Sequence, residues 1–122
     1  MRILLVEDDK MNVDLFESAL ESEGYEVVTE RDGVAGERRA SEAFDLILLD
    51  IQLPKKNGLD VCRSLRARGL RIPIVALSAS VLPEEVARTT SAGFDLFLSK
   101  PISPHDLRTA VRRLVAPRPA AR

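Results

Sequence analysis

The chain has no tryptophan, few other aromatic residues and a single cysteine, and its apolar runs are short. Crossing a bilayer takes about 20 consecutive apolar residues, so none of these runs predicts a membrane span. Cys62 has no partner for an internal disulfide, which favours a reducing cytoplasm over a secreted location. Met1 and Arg2 lead directly into an apolar run and then into acidic residues, a pattern unlike a secretory signal. We therefore expect a cytoplasmic protein that does not interact with membranes.

Net charge is also nearly absent. The formal value is −1 although charged residues make up 30% of the chain, so no global attraction to nucleic acid is expected. The length of 122 residues is that of one ordinary domain with its own core. We expect that domain to cover residues 1–116, followed by a short flexible tail over residues 117–122.

Short apolar runs alternate along the chain with longer segments of helical periodicity. This order is typical of a parallel sheet with helices on both faces, and continuous apolar runs are typical of strands buried on both sides. The predicted strands lie near residues 2–7, 25–30, 45–50, 72–77 and 95–99. The predicted helices cover residues 11–23, 34–42, 59–68, 83–92 and 104–115. The fold class is therefore α/β, with a doubly wound five-stranded parallel sheet and a (βα)5 chain order.

Charged residues follow or end three of the predicted strands. Glu7, Asp8 and Asp9 come after the first strand, Asp50 ends the third, and Lys100 follows the fifth. The carboxyl ends of parallel strands share one edge of the sheet, where ligands of such folds bind. At ~4 Å and an effective dielectric constant of about 20, two carboxylates repel by on the order of 4 kcal/mol. The pattern therefore predicts a site of the Mg²⁺ type with a lysine beside it.

The acidic residues differ in the roles that their positions favour. Mg²⁺ keeps several waters and takes one or two carboxylates, so Asp8 is the expected direct ligand and Glu7 the water-mediated one. Asp9 is the expected cap of the following helix, and the alternative is that all three residues only cap that helix. From its position alone, Asp50 is a metal ligand, a nucleophile toward phosphorus or a helix cap.

Two further strand ends carry groups that suit a phosphoryl anion. Ser78 ends the fourth strand with a hydroxyl, and Ala79 beside it leaves room for a bulky anion. The ammonium of Lys100 can neutralise phosphoryl charge as a point cation. Taken singly, the serine is an ordinary cap and the lysine an ordinary solvated residue, so the argument depends on their common edge.

Four segments in order resemble the receiver domain of two-component response regulators. They are Val-Glu-Asp-Asp at 6–9, Leu-Leu-Asp-Ile-Gln-Leu-Pro at 48–54, Ala-Leu-Ser-Ala at 76–79 and Leu-Ser-Lys-Pro at 98–101. The resemblance covers nearly the whole chain and is closest to single-domain cell-cycle receivers of the DivK type and to receivers of hybrid sensor kinases. It implies a flavodoxin-like sheet with strand order 2-1-3-4-5 and a signalling domain rather than a metabolic enzyme.

The resemblance implies a role for each acidic residue of the site. Asp50 accepts the phosphoryl group. Asp8 and Asp50 bind Mg²⁺ directly, together with the backbone carbonyl of Gln52, while Glu7 contributes through water. Mn²⁺ can take the place of Mg²⁺.

The resemblance also implies phosphoryl-binding and switch residues. Ser78 and Lys100 bind the phosphoryl oxygens, and Phe97 occupies the position of the aromatic switch, with a plain core role as the alternative. Serine replaces the more frequent threonine and phenylalanine the more frequent tyrosine. Because Phe97 has no hydroxyl, its outward pose would be recognised by packing and not by a hydrogen bond.

The implied partners are proteins. A histidine kinase or histidine phosphotransfer protein donates the phosphoryl group, and a downstream protein reads the face made by the fourth helix, the fifth strand and the fifth helix. Gln52 and Ser80 are expected to set the rate at which the aspartyl phosphate hydrolyses. A phosphorylation-dependent homodimer stays open, and the absence of an output domain favours a stand-alone regulator.

The basic residues in the last predicted helix and the tail do not indicate direct binding of nucleic acid. They lack interleaved aromatic residues, which favours a solvated, partner-facing helix over direct contact with nucleic acid. The only histidine, His105, is expected at the surface in the first turn of the same helix. The basic residues are Arg108, Arg112, Arg113, Arg118 and Arg122.

Three rival functions remain to be weighed. A phosphatase with an aspartyl nucleophile, of the haloacid-dehalogenase type, needs an acidic residue two positions after Asp50, where this chain has Gln52. A degenerate receiver that only docks would lack some of the site residues, all of which are present. A nucleotide-binding module would need a Gly-x-x-x-x-Gly-Lys loop, which the sequence does not contain.

Overall fold

The computed structural model describes residues 1–80 and 82–115, in which strands and helices alternate. All strand pairs are parallel, and the sheet order is β2-β1-β3-β4-β5. The predicted fold class and strand order are therefore confirmed. The elements are β1 (Arg2–Val6), α1 (Lys10–Glu21), β2 (Glu26–Glu30), α2 (Gly33–Arg39), β3 (Leu46–Asp50), α3 (Gly58–Ala67), β4 (Ile74–Ser78), α4 (Pro83–Ala92), β5 (Leu96–Ser99) and α5 (Pro104–Val115).

The helices cover the sheet as two separate layers. On one face α1 and α5 pack against the sheet through Phe16, Leu20, Leu107 and Val111, all at most 1% exposed. The opposite face is covered by α2, α3 and α4. The central strands β3 and β4 are buried along their whole length, which explains their continuous apolar sequence.

The fourth strand begins later than predicted. It was expected near residues 72–77 but begins at Ile74. Pro73 has no backbone N–H and so cannot continue the hydrogen-bond ladder as an interior strand residue. Ser78 is the last residue of the strand, as predicted, so it is held on a rigid element beside the site.

The second helix is shorter than predicted. It ends at Arg39, where residues 34–42 were expected to be helical, and Ala40 is its C-cap. Ala40 and Phe44 are both buried in the core, at 4% and 6% exposed. Both side chains face the core where the chain turns toward β3, so α2 cannot continue along the surface beyond Arg39.

The predicted helix caps agree with the structure. The Asp9 carboxylate accepts a hydrogen bond from the backbone N–H of Asn12 at 3.1 Å. The Ser103 hydroxyl accepts one from the N–H of Asp106 at 3.0 Å. At the end of α4, Gly93 has a φ of +107°, a left-handed conformation that favours glycine.

Cys62 is a buried residue of α3, as expected of a small hydrophobic side chain. It is 0% exposed, and its thiol lies 3.4 Å from the carbonyl oxygen of Ala92. Burial raises the pKa of the Cys62 thiol to about 11, because the thiolate would lose its hydration. The thiol is therefore neutral near pH 7.

Some expectations fall partly outside the described residues. The domain boundary at 116 and the tail over residues 117–122 lie there, as do Arg118 and Arg122. Across residues 1–80 and 82–115, every helix is too short or too polar to cross a membrane.

Candidate functional site

The carboxyl edge of the sheet brings the predicted acidic residues together. Glu7 and Asp8 follow β1, and Asp50 is the last residue of the neighbouring strand β3. One carboxylate oxygen from each of these three residues lies within 4.8 Å of the others. Glu7 and Asp50 are buried, at 0% and 4% exposed, whereas Asp8 faces solvent. The site is thus a pair of buried carboxylates with an exposed third one at its opening.

Lys100 connects the two buried carboxylates. Its Nζ donates a hydrogen bond to Asp50 Oδ2 at 2.7 Å and lies 2.8 Å from Glu7 Oε1. The lysine is placed by the chain as well, since its backbone N–H donates to the carbonyl of Ser78 at 2.7 Å. This contact holds the end of β5 against β4, so that the ammonium reaches across to β3.

The pKa values of Glu7 and Lys100 are both raised, although burial acts on them in opposite directions. Burial raises the pKa of the Glu7 carboxyl above its ordinary value, and the nearby Asp50 carboxylate adds to this rise while Lys100 opposes it. Burial lowers the pKa of Lys100, but the hydrogen bond to Asp50 and the contact with Glu7 outweigh it and raise that pKa. Lys100 is therefore protonated near neutral pH, and it is the one cation beside the three carboxyl groups of Glu7, Asp8 and Asp50 among the described residues.

The donor set fits a hard divalent cation. The Glu7 Oε1 atom is buried without a hydrogen-bond partner among the described residues, because its contact with Lys100 has the distance but not the angles of a hydrogen bond. Carboxylate oxygens with access to water are the ligands that Mg²⁺ prefers. Asp8 and Asp50 are the residues that could hold it directly.

Two glycines to which the sequence pattern gave no functional role shape the loop after Asp50. A Cβ on Gly58 would lie 2.1 Å from the Asp50 carbonyl oxygen, so no larger residue fits there without movement. A Cβ on Gly33 would lie 1.8 Å from the Lys56 carbonyl oxygen. The Asn-Gly pair at 57–58 signals a turn, but only the packed structure reveals these close approaches.

Hydrogen bonds hold the same loop in place. The N–H of Gln52 donates to Asp50 Oδ1 at 2.9 Å, which fixes the orientation of the carboxylate. The N–H of Gly58 donates to the carbonyl of Ile51 at 2.7 Å, and that of Gly33 donates to the carbonyl of Pro54 at 3.1 Å. The loop that carries the Gln52 carbonyl is thus braced from both sides.

The structure also locates the predicted phosphoryl-binding and switch residues. Ser78 is 2% exposed at the end of β4, and its hydroxyl accepts a hydrogen bond from the N–H of Ser80 at 3.1 Å. Phe97 is half-buried in β5 and packs against the core on the side of α2, α3 and α4. This position is compatible with both a core role and a switch role.

The other charged residues singled out in the sequence lie away from this edge. His105 is exposed in the first turn of α5. Arg108 and Arg112 lie near Glu23, so α5 is joined by ion pairs to the end of α1. These positions agree with the surface roles expected for them.

The sequence matches a known family over most of its length. Residues 3–112 match the response regulator receiver domain family. A transcriptional regulatory protein for alkaline phosphatase synthesis, PhoP of Bacillus subtilis, is 36% identical over 93% of this chain. The response regulator PmrA of Pseudomonas aeruginosa is 40% identical over 93% of this chain. The chain spans about half of the length of these relatives, 48% of PhoP and 52% of PmrA.

Solved structures show the same likeness. The receiver domain of the sensor histidine kinase PA1611 from Pseudomonas aeruginosa PAO1 is 35% identical, with a TM-score of 0.87 over 95% of this chain and 98% of that one. That structure has a magnesium ion coordinated in its active-site cleft. The chemotaxis response regulator CheY4 of Vibrio cholerae is 28% identical, with a TM-score of 0.86 over 93% of this chain and 97% of that one.

The crowding of carboxylates predicts how stability responds to Mg²⁺. We expect Mg²⁺ to raise the melting temperature of the protein, since a dication offsets the repulsion between Asp8 and Asp50. At 100 times its dissociation constant, a ligand of the folded state stabilises it by about 2.7 kcal/mol. In EDTA, Asp8→Asn should melt at a higher temperature than the unmodified protein, because one of the repelling charges is gone. Its melting temperature should no longer respond to Mg²⁺.

Differential scanning calorimetry with EDTA and with increasing Mg²⁺ measures both effects. Asp14→Asn is the matched control, because Asp14 is an exposed carboxylate of α1 whose only ion pair among the described residues is with Lys10. A full Mg²⁺ response in Asp8→Asn would contradict the assignment of Asp8 as a ligand.

Proposed function

The chain belongs to the response regulator receiver domain family, and from this premise we propose that Asp50 accepts a phosphoryl group from a phosphohistidine donor. The donor is a histidine kinase or a histidine phosphotransfer protein, and a small acyl phosphate can replace it. The observation that carries the proposal is the buried carboxylate at the end of β3, to which Lys100 Nζ donates a hydrogen bond at 2.7 Å. As in its family, the chain acts as a signalling domain, so the product is the modified protein itself.

Transfer to Asp50 is an in-line displacement at phosphorus. A carboxylate oxygen of Asp50 forms a bond to phosphorus while the bond to the donor's imidazole nitrogen breaks, and that nitrogen keeps the electron pair. The protein contributes mainly by positioning groups and stabilising charge. Lys100 suits this task, since its ammonium already lies against the carboxylate that is to attack.

Asp8, Asp50 and the backbone carbonyl of Gln52 are the proposed direct ligands of Mg²⁺, with Glu7 acting through water. When bound, the cation supplies positive charge that offsets repulsion between the carboxylates and the phosphoryl oxygens. The acidic cluster of this chain and the magnesium ion in the related PA1611 receiver support this proposal. Mn²⁺ also favours carboxylate, carbonyl and water ligands, and it is expected to substitute.

Ser78 and Lys100 are the proposed ligands of the phosphoryl oxygens. Both lie at the carboxyl edge next to Asp50: the last residue of β3 pairs in register with Leu77, immediately before Ser78. In the unphosphorylated state the Ser78 hydroxyl accepts a hydrogen bond from Ser80, which leaves its own proton available to donate to an anion. The two side chains therefore offer one neutral and one charged donor.

We expect incubation with acetyl phosphate and Mg²⁺ to add a mass equal to one phosphoryl group. The adduct should be absent from Asp50→Asn and from samples that contain EDTA, because the nucleophile or the cation is then missing. Intact-mass spectrometry measures this directly. Asp60→Asn is the matched control, since Asp60 is an exposed aspartate of α3 and should leave the adduct unchanged. An adduct that persists in Asp50→Asn would contradict the proposal, and no adduct with acetyl phosphate or with phosphohistidine donors would favour a docking module.

Gln52 and Ser80 are the residues proposed to set the lifetime of the aspartyl phosphate. Gln52 is exposed and its N–H donates to Asp50, while the N–H of Ser80 donates to Ser78, so both lie at the mouth of the site. We expect Gln52→Ala to change the rate at which the phosphorylated mass decays, because residue 52 is exposed beside Asp50, where an attacking water would approach. A decay rate equal to that of the unmodified protein would exclude this role. Gln52→Glu is a second variant of similar size, whose carboxylate can still accept a hydrogen bond from an attacking water.

Phosphorylation is proposed to change the face made by α4, β5 and α5. New phosphoryl oxygens would draw Ser78 and the following loop inward, and Phe97 would turn into the space that the loop leaves. A downstream protein then distinguishes the two states only as far as it binds them with different affinity. A homodimer formed through the same face is one form that this partner could take.

Hydrogen exchange tests the switch without knowledge of the partner. We expect beryllofluoride, a stable phosphoryl analogue, to slow amide exchange in α4 and β5 when Mg²⁺ is present. Phe97→Ala should weaken this change at least several-fold while analogue binding at Asp50 is retained. An undiminished change in Phe97→Ala would assign Phe97 to the core alone.

The remaining proposals concern location and partner class. We propose that the protein works in the cytoplasm, where histidine kinases present their phosphorylated domains, and that it contacts neither nucleic acid nor membrane directly. Its output is therefore carried by protein–protein contact.

A further inference from the structure

A charged groove lies between α2 and α3, away from α4, β5 and α5. It has a volume of about 370 Å³, and a second hollow of about 300 Å³ continues it toward the end of α3. Ser41 and Arg68 line both hollows, so the two form one continuous groove along the surface. The first hollow is lined by Val34, Glu37, Arg38, Ser41, Lys56 and Arg68.

The walls of this groove carry more positive than negative charge. Three cationic side chains line it together with two carboxylates, those of Glu37 and Glu42. Glu37 pairs with both Lys56 and Arg68, whereas Glu42 pairs with Arg2 and Arg39, which do not line the groove. Arg38 is exposed and has no ion pair among the described residues. Two carboxylates cannot neutralise three cations, so the groove keeps a net positive charge after these pairs have formed.

The groove is part of a wider separation of charge along the chain. Residues 52–73 contain six basic residues and one acidic residue, a net charge of +5. The whole chain has a net charge of −1, so the remaining residues carry −6. This segment supplies Lys56 and Arg68 to the groove, so the attraction that it exerts on a partner is local rather than global.

The floor of the groove is apolar. Val34 is 40% exposed on α2, Leu65 is buried beneath the second hollow, and Leu70 is partly exposed at its end. No aromatic side chain lines either hollow, so the stacking surface that single-stranded nucleic acid uses is missing here. Basic walls over an apolar floor are complementary to a peptide that carries both carboxylates and aliphatic side chains.

We propose that this groove binds an acidic segment of a partner protein, with aliphatic side chains on the apolar floor and carboxylates on Arg38, Lys56 and Arg68. The proposal goes beyond phosphorylation, since it needs neither Mg²⁺ nor a phosphoryl group on Asp50. Glu37 occupies part of the same electrostatic site, and an incoming carboxylate competes with it for the two cations that it pairs.

Fluorescence anisotropy with the full chain tests the proposal, with EDTA present so that the result is independent of Asp50 chemistry. The probe is a fluorescein-labelled peptide of Glu, Asp and Leu, and its isosteric counterpart contains Gln, Asn and Leu. We expect the acidic peptide to bind more tightly than the neutral one, with an affinity that falls as salt is added.

Charge-reversal variants inside and outside the groove make the test specific to the groove. Arg38→Glu combined with Arg68→Glu should weaken binding at least about tenfold, which corresponds to about 1.4 kcal/mol. Arg88→Glu combined with Arg113→Glu is the matched control, because both residues are exposed and the change in net charge is the same. Melting curves check that each variant is folded.

Removing the internal competitor should have the reverse effect. Glu37→Gln frees Lys56 and Arg68 and should tighten binding several-fold, whereas Glu84→Gln on α4 should not. Equal losses in the two double variants would overturn the proposal, as would equal binding of the acidic and neutral peptides. Tighter groove-dependent binding of single-stranded RNA or of phosphatidylserine vesicles would also overturn it, in favour of a different class of partner.

Discussion

The ammonium of Lys100, held between the buried carboxylates of Glu7 and Asp50, is the interaction on which the site depends. Burying an ionised carboxylate costs several kcal/mol per group unless a partner charge and hydrogen bonds compensate it. Here one lysine serves two such groups, at 2.7 Å from Asp50 and 2.8 Å from Glu7. Glu7 follows β1, Asp50 ends β3 and Lys100 follows β5, so the contact exists only when the sheet has its full parallel order. The same edge leaves the carboxyl groups undercompensated, which is the condition for binding a cation.

Close packing of backbone keeps this arrangement in register. Gly58 lies so near the Asp50 carbonyl that any side chain would displace the loop, and Gly33 approaches Lys56 in the same way from α2. The acidic residue that is proposed to react is thus held on a strand, while the first turns of two helices support the loop that follows it. A rigid strand end with a tightly supported loop is what positioning chemistry requires.

The residues that form the site could be predicted from the sequence, because the carboxyl ends of parallel strands share one edge of the sheet. Glu7, Asp8, Asp50 and Lys100 needed only the alternation of strands and helices to be placed together, and the structure brings them together. Strand β4 and helix α2 were predicted with wrong boundaries. The missing N–H of Pro73 is a local feature that the sequence already contains, whereas the inward turn at Ala40 is a tertiary effect. The approaches of Gly33 and Gly58, and the pairing of Glu37 with two cations, depend on how loops pack. The periodicity of the sequence contains no information about such contacts. The roles of the individual site residues stay predictions.

We propose that one edge of the sheet holds the cation, the phosphoryl group and Lys100 in mutual contact. A crystal structure of the protein with Mg²⁺ and beryllofluoride tests this arrangement. We expect beryllium bonded to a carboxylate oxygen of Asp50, a cation bound by Asp8 and Asp50, and fluorine atoms in contact with Lys100 and Ser78. A structure in which Lys100 stays on Glu7 and Asp50 with the analogue bound elsewhere, or not bound at all, would contradict it.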